Sequence, residues 1–405
     1  MRLGAFKYKD FRLFWLGSLF SQMGDQMQIV AVSWQLYLLT HSAASLGLIG
    51  LCGLIPLLAF SLIGGVAADR VNRKKLMLVA QVMLSLIAFF LFFQTHSGNI
   101  TPWMIYLSLI VVATINAFNL PTRQAVMPSL VPKEMYMNAI SLNTLQFQSA
   151  TIIGPAIAGF LIAVFGVGSI YLFNGLSFFI LILAILKMTI PMIHSTKQAS
   201  FSVASIFEGI KFVKDSPIIS STMMLDFLAT FFGTANILMP VFAKDVLKVG
   251  AQGLGFLYAA PAVGGLIAGL FFSSKHKIKN QGKLMIGGVI LYGLSTIMFG
   301  LSKSFYLSLF FLALTGVGDM ISTIIRNTIR QLMTPDYIRG RMASVTMIFF
   351  QGGPKAGDME AGFLASNIGG PFSVVLGGIG TVLITLLIAK KTPSLTNYRG
   401  NEVEI

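Results

Sequence analysis

Twelve apolar runs, each about the length that crosses a lipid bilayer, fill this chain almost from end to end. They fall at residues 14–39, 45–67, 76–94, 102–121, 139–165, 168–190, 218–243, 252–273, 284–302, 305–325, 342–366 and 371–389. A helix needs about 20 such residues to cross the hydrocarbon core, where backbone N–H and C=O groups must find partners within the protein. The pattern therefore predicts an all-α membrane protein of twelve transmembrane helices, with little chain left over for a soluble domain. The composition agrees, since 55% of residues are hydrophobic, only 11% are charged and the mean hydropathy is +0.80.

The formal net charge of +15 would suit a nucleic-acid partner in a soluble protein, but the placement of Lys and Arg gives it another meaning. Counting Arg123 and Arg326 with the loops, 25 of the 29 cations lie in the N-terminal tail, in every second loop and in the C-terminal tail. The opposite loops hold Lys244, Lys248 and Lys303, and Lys355 lies within a span. This bias predicts a chain with both termini and the central linker in the cytoplasm, a lipid bilayer around it and no nucleic acid bound. Arg2, Lys7, Lys9 and Arg12 precede the first span, which is too long for a signal-peptide core and is expected to stay as a helix. Cys52 is the only cysteine, so no intramolecular disulfide can form.

The chain also repeats itself. Shifted by 203 residues, 123–161 lies over 326–364 without a gap, matching Arg123 with Arg326, Pro132 with Pro335, Gln148 with Gln351 and Gly159-Phe160-Leu161 with Gly362-Phe363-Leu364. A shift of 201 puts Asp25 over Asp226, and one of 205 puts Pro56 over Pro261. The displacement is six spans, an even number, so the halves share one orientation and are expected to be related by a pseudo-two-fold axis along the membrane normal. The expected organisation is a six-helix bundle over 1–190, a linker over 191–217 and a second bundle with the C-terminal tail over 218–405. Within the linker, Phe201, Ile206, Ile210 and Val213 share one face and predict an amphipathic helix at the membrane surface.

Charges inside the spans are the candidates for function, because a carboxylate in a bilayer costs roughly 2.5–3.5 kcal/mol even on the lenient insertion scale. Asp25 and Asp226 occupy equivalent places in the first and seventh spans, and Asp319 follows Gly316 and Gly318 in the tenth. The stretch GGPKAGDMEAGF, 352–363, sets Lys355, Asp358 and Glu360 where the first half has Ile152, Pro155 and Ile157. Lys355 and Asp358 are three apart and neighbours on a helix face. Glu360 lies about 200° round the helix from Asp358. Burial penalises a charged carboxylate and a nearby cation favours it, so Glu360 is the expected site of reversible protonation and Asp358 the expected member of a fixed pair. Gly352, Gly353, Pro354 and Gly357 predict a weakened or broken helix there. For Asp25, Asp226 and Asp319 a hydrogen-bonded packing role stands beside one in proton coupling or substrate binding.

All four histidines, His41, His96, His194 and His276, fall at span ends or in loops, which argues against a histidine relay. No GxxxxGK[ST] phosphate loop, Ser-His-Asp set, HExxH or CxxC pattern occurs, so neither an ATP-driven pump within the chain nor an enzyme is expected, and no catalytic residue, cofactor or metal.

Between the second and third spans the sequence reads GGVAADRVNRKKLML, Gly64 to Leu78. This resembles the GxxxDRxGRK signature of the major facilitator superfamily: Gly65, Asp69, Arg70, Arg73 and Lys74 match, and Asn72 stands for the second Gly, a residue that tolerates the left-handed turn better than most. The resemblance implies two six-helix bundles enclosing a central cavity lined by the first, fourth, seventh, tenth and eleventh helices. It also implies a cytoplasmic gate made by this loop against the start of the eleventh helix, near Arg341. GPAIAG in the fifth span, with Gly154, Pro155 and Gly159, resembles a partial antiporter motif, although close packing explains small residues equally well. The mid-span arginine of the family's fourth helix is absent. FRLFWLGSLFSQMGDQMQIVAVSWQLYLLT, RQAVMPSLVPKEMYMNAISL and DYIRGRMASV resemble the branch of bacterial enterobactin exporters and macrolide efflux proteins.

The expectation is thus a rocker-switch secondary transporter of the bacterial inner membrane, working as a monomer. Protons moving inward would drive a siderophore or similar small molecule outward. Multidrug or macrolide efflux and nutrient uptake stay open within the same fold; a receptor or a lipid-acting protein stays open outside it.

Overall fold

The computed structural model describes residues 4–189, 203–274, 278–335 and 338–400, and among them the chain is helical with no strand. Thirteen helices of more than ten residues follow one another: α1 Lys9–Thr40, α2 Ala43–Arg70, α3 Arg73–His96, α4 Pro102–Val126, α5 Tyr136–Phe165, α6 Gly168–Lys187, α7 Val203–Asp215, α8 Pro217–Gly233, α9 Gly250–Ser273, α10 Gln281–Leu301, α11 Phe305–Met333, α12 Arg339–Ile368 and α13 Gly370–Lys391. Apart from the linker helix α7, each meets one of the twelve apolar runs. Ten segments among the described residues are long and apolar enough to cross a membrane. The two remaining long helices, α1 and α12, have 32 and 30 residues and carry Asp25 and the Lys355, Asp358, Glu360 trio. Internal charge lowers their hydropathy, while their length suffices to span.

By its contacts the chain falls into two compact units. One draws on Met1–His41, Ile55–Gln198 and Gly250–Ala259, the other on Ser42–Leu54, Ala199–Val249 and Ala260–Ile405. In the first unit, Phe11, Phe14, Val126, Leu130, Leu142, Leu181 and Ile185 form a buried apolar layer near the start of α1. In the second, Leu225, Val289, Ile325 and Ile329 pack with Leu395 and Tyr398 of the C-terminal tail, and Gly282 N–H donates to Tyr398 O at 3.0 Å.

Three local expectations change. The seventh run does not form one helix: α8 ends at Gly233, Thr234 is extended, and the chain proceeds through short turns over Asn236–Val246. Gly233 weakens the helix at the break, and Pro240 stands in the first turn of the short helix beyond it, where its missing donor is not needed. Conversely, α12 runs unbroken through Gly352, Gly353, Pro354 and Gly357. Its glycines serve close packing, since a Cβ on Gly357 would stand 2.5 Å from Phe231 O and 2.7 Å from Thr230 O of α8. Asn72, finally, has φ −56° and is not left-handed. It caps α3, its Oδ1 accepting from Lys75 N–H at 3.1 Å, a role that Asn fills and Gly fills only through its backbone.

Of the expected amphipathic face in the linker, Phe201 and the side chain of Ile206 lie outside the described residues. Val213 is buried with Ile219, Met223, Met342 and Val345, and Ile210 is exposed. The inward face of α7 is therefore centred on Phe212 and Val213, and it rests on α8 and α12.

Candidate functional site

The two carboxylates that the repeat superposes each have an arginine of their own unit within electrostatic reach, and in the second unit the two groups form an ion pair. In the second unit Asp226, the tenth residue of α8, forms an ion pair with Arg326 of α11. Both are buried, Asp226 being 7% and Arg326 2% exposed. Arg326 Nη2 also donates to Thr323 Oγ1 at 3.1 Å, its guanidinium carbon stands 5.9 Å from the Phe350 ring centre, and its Nε has no acceptor among the described residues. Asp319 and Arg330 add a negative and a positive neighbour, and the Arg330 guanidinium bonds Asn327 Oδ1. Asp319, Thr323, Arg326 and Arg330 follow at steps of four, three and four residues, so one face of α11 carries the column.

In the first unit Asp25, at the midpoint of α1, has Arg123 of α4 as its charged neighbour and takes a hydrogen bond from Asn174 of α6. Asn174 Nδ2 also donates to Gln28 Oε1 at 2.6 Å, and Ser177 Oγ donates to Asn174 Oδ1 at 3.0 Å. Gly24 sits against Asn174 and Ser177, which lets α6 come close enough for these bonds. Arg123 and Arg326, grouped with loop cations by the charge count, thus lie inside α4 and α11 as the charge neighbours of half-buried Asp25 and buried Asp226. The signal that could have found them was the repeat itself: Asp25 over Asp226 and Arg123 over Arg326 pair opposite charges twice.

Lys355, Asp358 and Glu360 lie in the middle and second half of α12, all half-buried. Lys355 and Asp358 face each other electrostatically as their spacing requires, and Ile237 N–H donates to Asp358, whose Oδ1 is buried without a further partner. The pair lies against a glycine stripe on α2, with Lys355 Nζ over Gly53, Asp358 Cβ 2.9 Å from a Cβ position on Gly50, and Gly362 beside Gly47. No charged neighbour faces Glu360 among the described residues. Asp319 is exposed, and its flanking glycines allow close approach, Gly318 to Tyr292 N and Gly316 to Pro261. The structure brings Asp226 and Asp319 to one cluster and leaves the α12 trio as a separate one in the same unit.

Of the expected gate, Gly65, Asp69, Arg70 and Arg341 fall on α2 and α12 with their side chains outside the described residues. Lys74 Nζ donates to Leu186 O at 3.1 Å and Met188 O at 2.6 Å, and Arg73 Nη1 donates to Ala125 O at 3.4 Å. Both cations thus cap the C-terminal ends of α6 and α4, where free carbonyls and the helix dipole favour positive charge. In α5, a Cβ on Gly154 would meet Gln26 Cβ of α1 at 2.9 Å, and one on Gly159 would meet Ala251 O of α9 at 2.6 Å; Pro155 O faces Gly255. The small residues of this motif let α5 touch two helices closely. Among the described residues no three His, Cys, Asp or Glu side chains converge as metal ligands would.

Comparison with known proteins gives this geometry a setting. The sequence model of the transmembrane secretion effector family matches residues 2–399. The enterobactin exporter EntS of Escherichia coli (strain K12) is 27% identical over 397 residues, which is 98% of this chain and 94% of that protein. Among solved structures, a D-xylose–proton symporter superposes with a TM-score of 0.74 at 12% identity, covering 97% of this chain and 99% of that one. A bacterial homologue of the iron transporter ferroportin in an inward-facing state superposes with a TM-score of 0.71 at 17% identity, covering 96% and 99%. At such identities the two structures establish the fold alone.

Proposed function

The chain belongs to the transmembrane secretion effector family, within the major facilitator superfamily of transporters, and from that premise we propose that it exports a siderophore or similar small molecule in exchange for protons. A transporter and not an enzyme, it works by alternating access as a monomer in the bacterial inner membrane, with both termini in the cytoplasm. The observation that carries the coupling is the recurrence of an arginine near an intramembrane acid, an ion pair between Asp226 and Arg326 and a charge neighbour, Arg123, within electrostatic reach of Asp25. Such a pair holds its acid ionised while closed; when the helices separate, the acid loses the cation that offset its desolvation and takes up a proton. Asp319, beside Arg326, offers that guanidinium a second carboxylate. The siderophore rests on the likeness to EntS, whose name specifies enterobactin.

The test is reconstitution in vesicles with an imposed pH gradient and a panel containing an iron-free catecholate siderophore, a macrolide and a sugar. Proton-driven movement of the siderophore out of the compartment facing the chain's termini is the expected result. Movement of the macrolide alone reassigns the substrate, movement in the opposite direction makes the protein an importer, and a rate indifferent to the pH gradient ends the proton coupling.

A further inference from the structure

Buried polar atoms without a partner concentrate in one place in the first unit. Ser18 Oγ, Ser21 Oγ, Gln22 Oε1 and both side-chain atoms of Gln146 are shielded and have no hydrogen-bond partner among the described residues. Ser18 and Gln146 are each 1% exposed and Ser21 is 0%. At about 100° per residue, Ser18, Ser21, Gln22 and Asp25 fall within an arc of roughly 100° on α1. Helix α5 runs alongside: Trp15 Nε1 donates to Leu142 O at 3.0 Å, and further along Gly154 closes on Gln26. Gln146, one turn beyond Leu142, therefore comes level with Ser18, one turn beyond Trp15, and Gln22 lies one turn further along. Arg123 approaches from α4 towards Asp25, and Val126, one turn nearer that helix's end, joins Phe11, Phe14, Leu130 and Leu142 in the apolar layer. The polar groups thus sit between Asp25 and a dry floor.

Each buried amide or hydroxyl group left unpaired forfeits its hydration with nothing in return, and flipping the Gln146 amide gains nothing because both of its ends are unpaired. Whatever fills the place must donate to Gln22 Oε1 and Gln146 Oε1 while accepting from Gln146 Nε2. A monovalent cation serves only the oxygens and would lie beside the Arg123 charge; an apolar group serves none. Water does both, with ~3 hydrogen bonds per buried molecule. We infer that Ser18, Ser21, Gln22 and Gln146 share a permanent site for about two ordered waters, at ~3 bonds each, and that these waters extend from the level of Gln146 along Gln22 towards Asp25, one turn beyond Gln22. Hydration of Asp25 adds a device to the proposed coupling, while the water site itself stands independently of it.

The experiment is a structure of the full chain in lipid nanodiscs at a resolution that shows ordered water, joined to infrared spectroscopy of the protonated Asp25 carboxyl, its band assigned by loss in Asp25→Asn. Water peaks within hydrogen-bond distance of Gln146 Oε1 and Nε2 are expected. Gln146→Leu should remove at least one of them and move the Asp25 band to higher frequency, as a carbonyl losing hydrogen bonds does. Gln146 and Gln22 bonded directly to each other with no water peak would overturn the site. Peaks present with an Asp25 band that Gln146→Leu leaves unmoved would overturn the link to Asp25. The wild-type density decides the first point even if the variant fails to fold, and neither readout depends on which solute is carried.

Discussion

Removing Asp226 should be among the most damaging single changes in the second unit. Arg326 is 2% exposed and keeps only the Thr323 hydroxyl and the face of the Phe350 ring once its carboxylate is gone. Breaking one side of a buried pair costs about 3–5 kcal/mol, because the remaining charge stays desolvated. That corresponds to roughly a hundred- to several-thousand-fold in the folded-to-unfolded ratio. Asp319 lies within electrostatic reach and should recover part of this, placing Asp226→Asn near the lower end and Asp226→Asn with Asp319→Asn near the upper. Replacing the pair by Asp226→Leu with Arg326→Met should restore most of the stability, since a buried ion pair and an apolar pair of similar volume often differ little. The assay is reversible unfolding in mixed micelles as a double-mutant cycle, with proton-driven transport measured on the same four proteins. Stability should return in the double variant and transport should not. A coupling energy below about 0.5 kcal/mol, the usual limit for independent sites, would refute the pair as an energetic unit.

Other outcomes follow from single contacts. Gly357→Ala should destabilise by about 1–3 kcal/mol through overpacking against the Phe231 and Thr230 carbonyls, readable as a lower unfolding midpoint, whereas Gly352→Ala, whose Cβ would meet only Leu54 at 4.0 Å, should be tolerated. Lys355→Met should be harmful alone and relieved by adding Asp358→Asn, judged by folded yield in detergent, because the second change removes the carboxylate that the first strands. Glu360→Gln should leave pH-driven transport in reconstituted vesicles intact, because the coupling rests on Asp25 and Asp226; its loss would move the proton to Glu360. Asn72→Ala should cost about 1 kcal/mol through loss of the α3 cap and show as faster amide exchange in its first turn.

The helices and their order were legible because a bilayer imposes one strong rule on every span, and because each run is bounded by Gly, Pro or charge. Where that rule stops, the reading faltered. Arg123 and Arg326 looked like loop cations since charge counting sees position along the chain but not the acid across the bundle. The glycines at 352–357 looked like a break, because weak helix propensity and close packing select the same residue; which of the two applies depends on α8, a hundred residues away. Gly233 has the opposite fate: apolar enough to hide in a span, it marks the early end of α8. Within the candidate site, the acids were found by their cost in lipid. The uncharged partners Asn174, Gln28, Thr323 and Gln146 carry no such mark and emerged only with the packing.

The doubled acid–arginine pair is not held in two identical copies. Where the second repeat has Asp319 and Arg330, the 203-residue shift finds Asn116 and Met127 in the first. The two halves therefore surround their acid with different company: in the second, Arg326 stands in a column of further charge, while the equivalent column on α4 keeps Arg123 alone among neutral side chains.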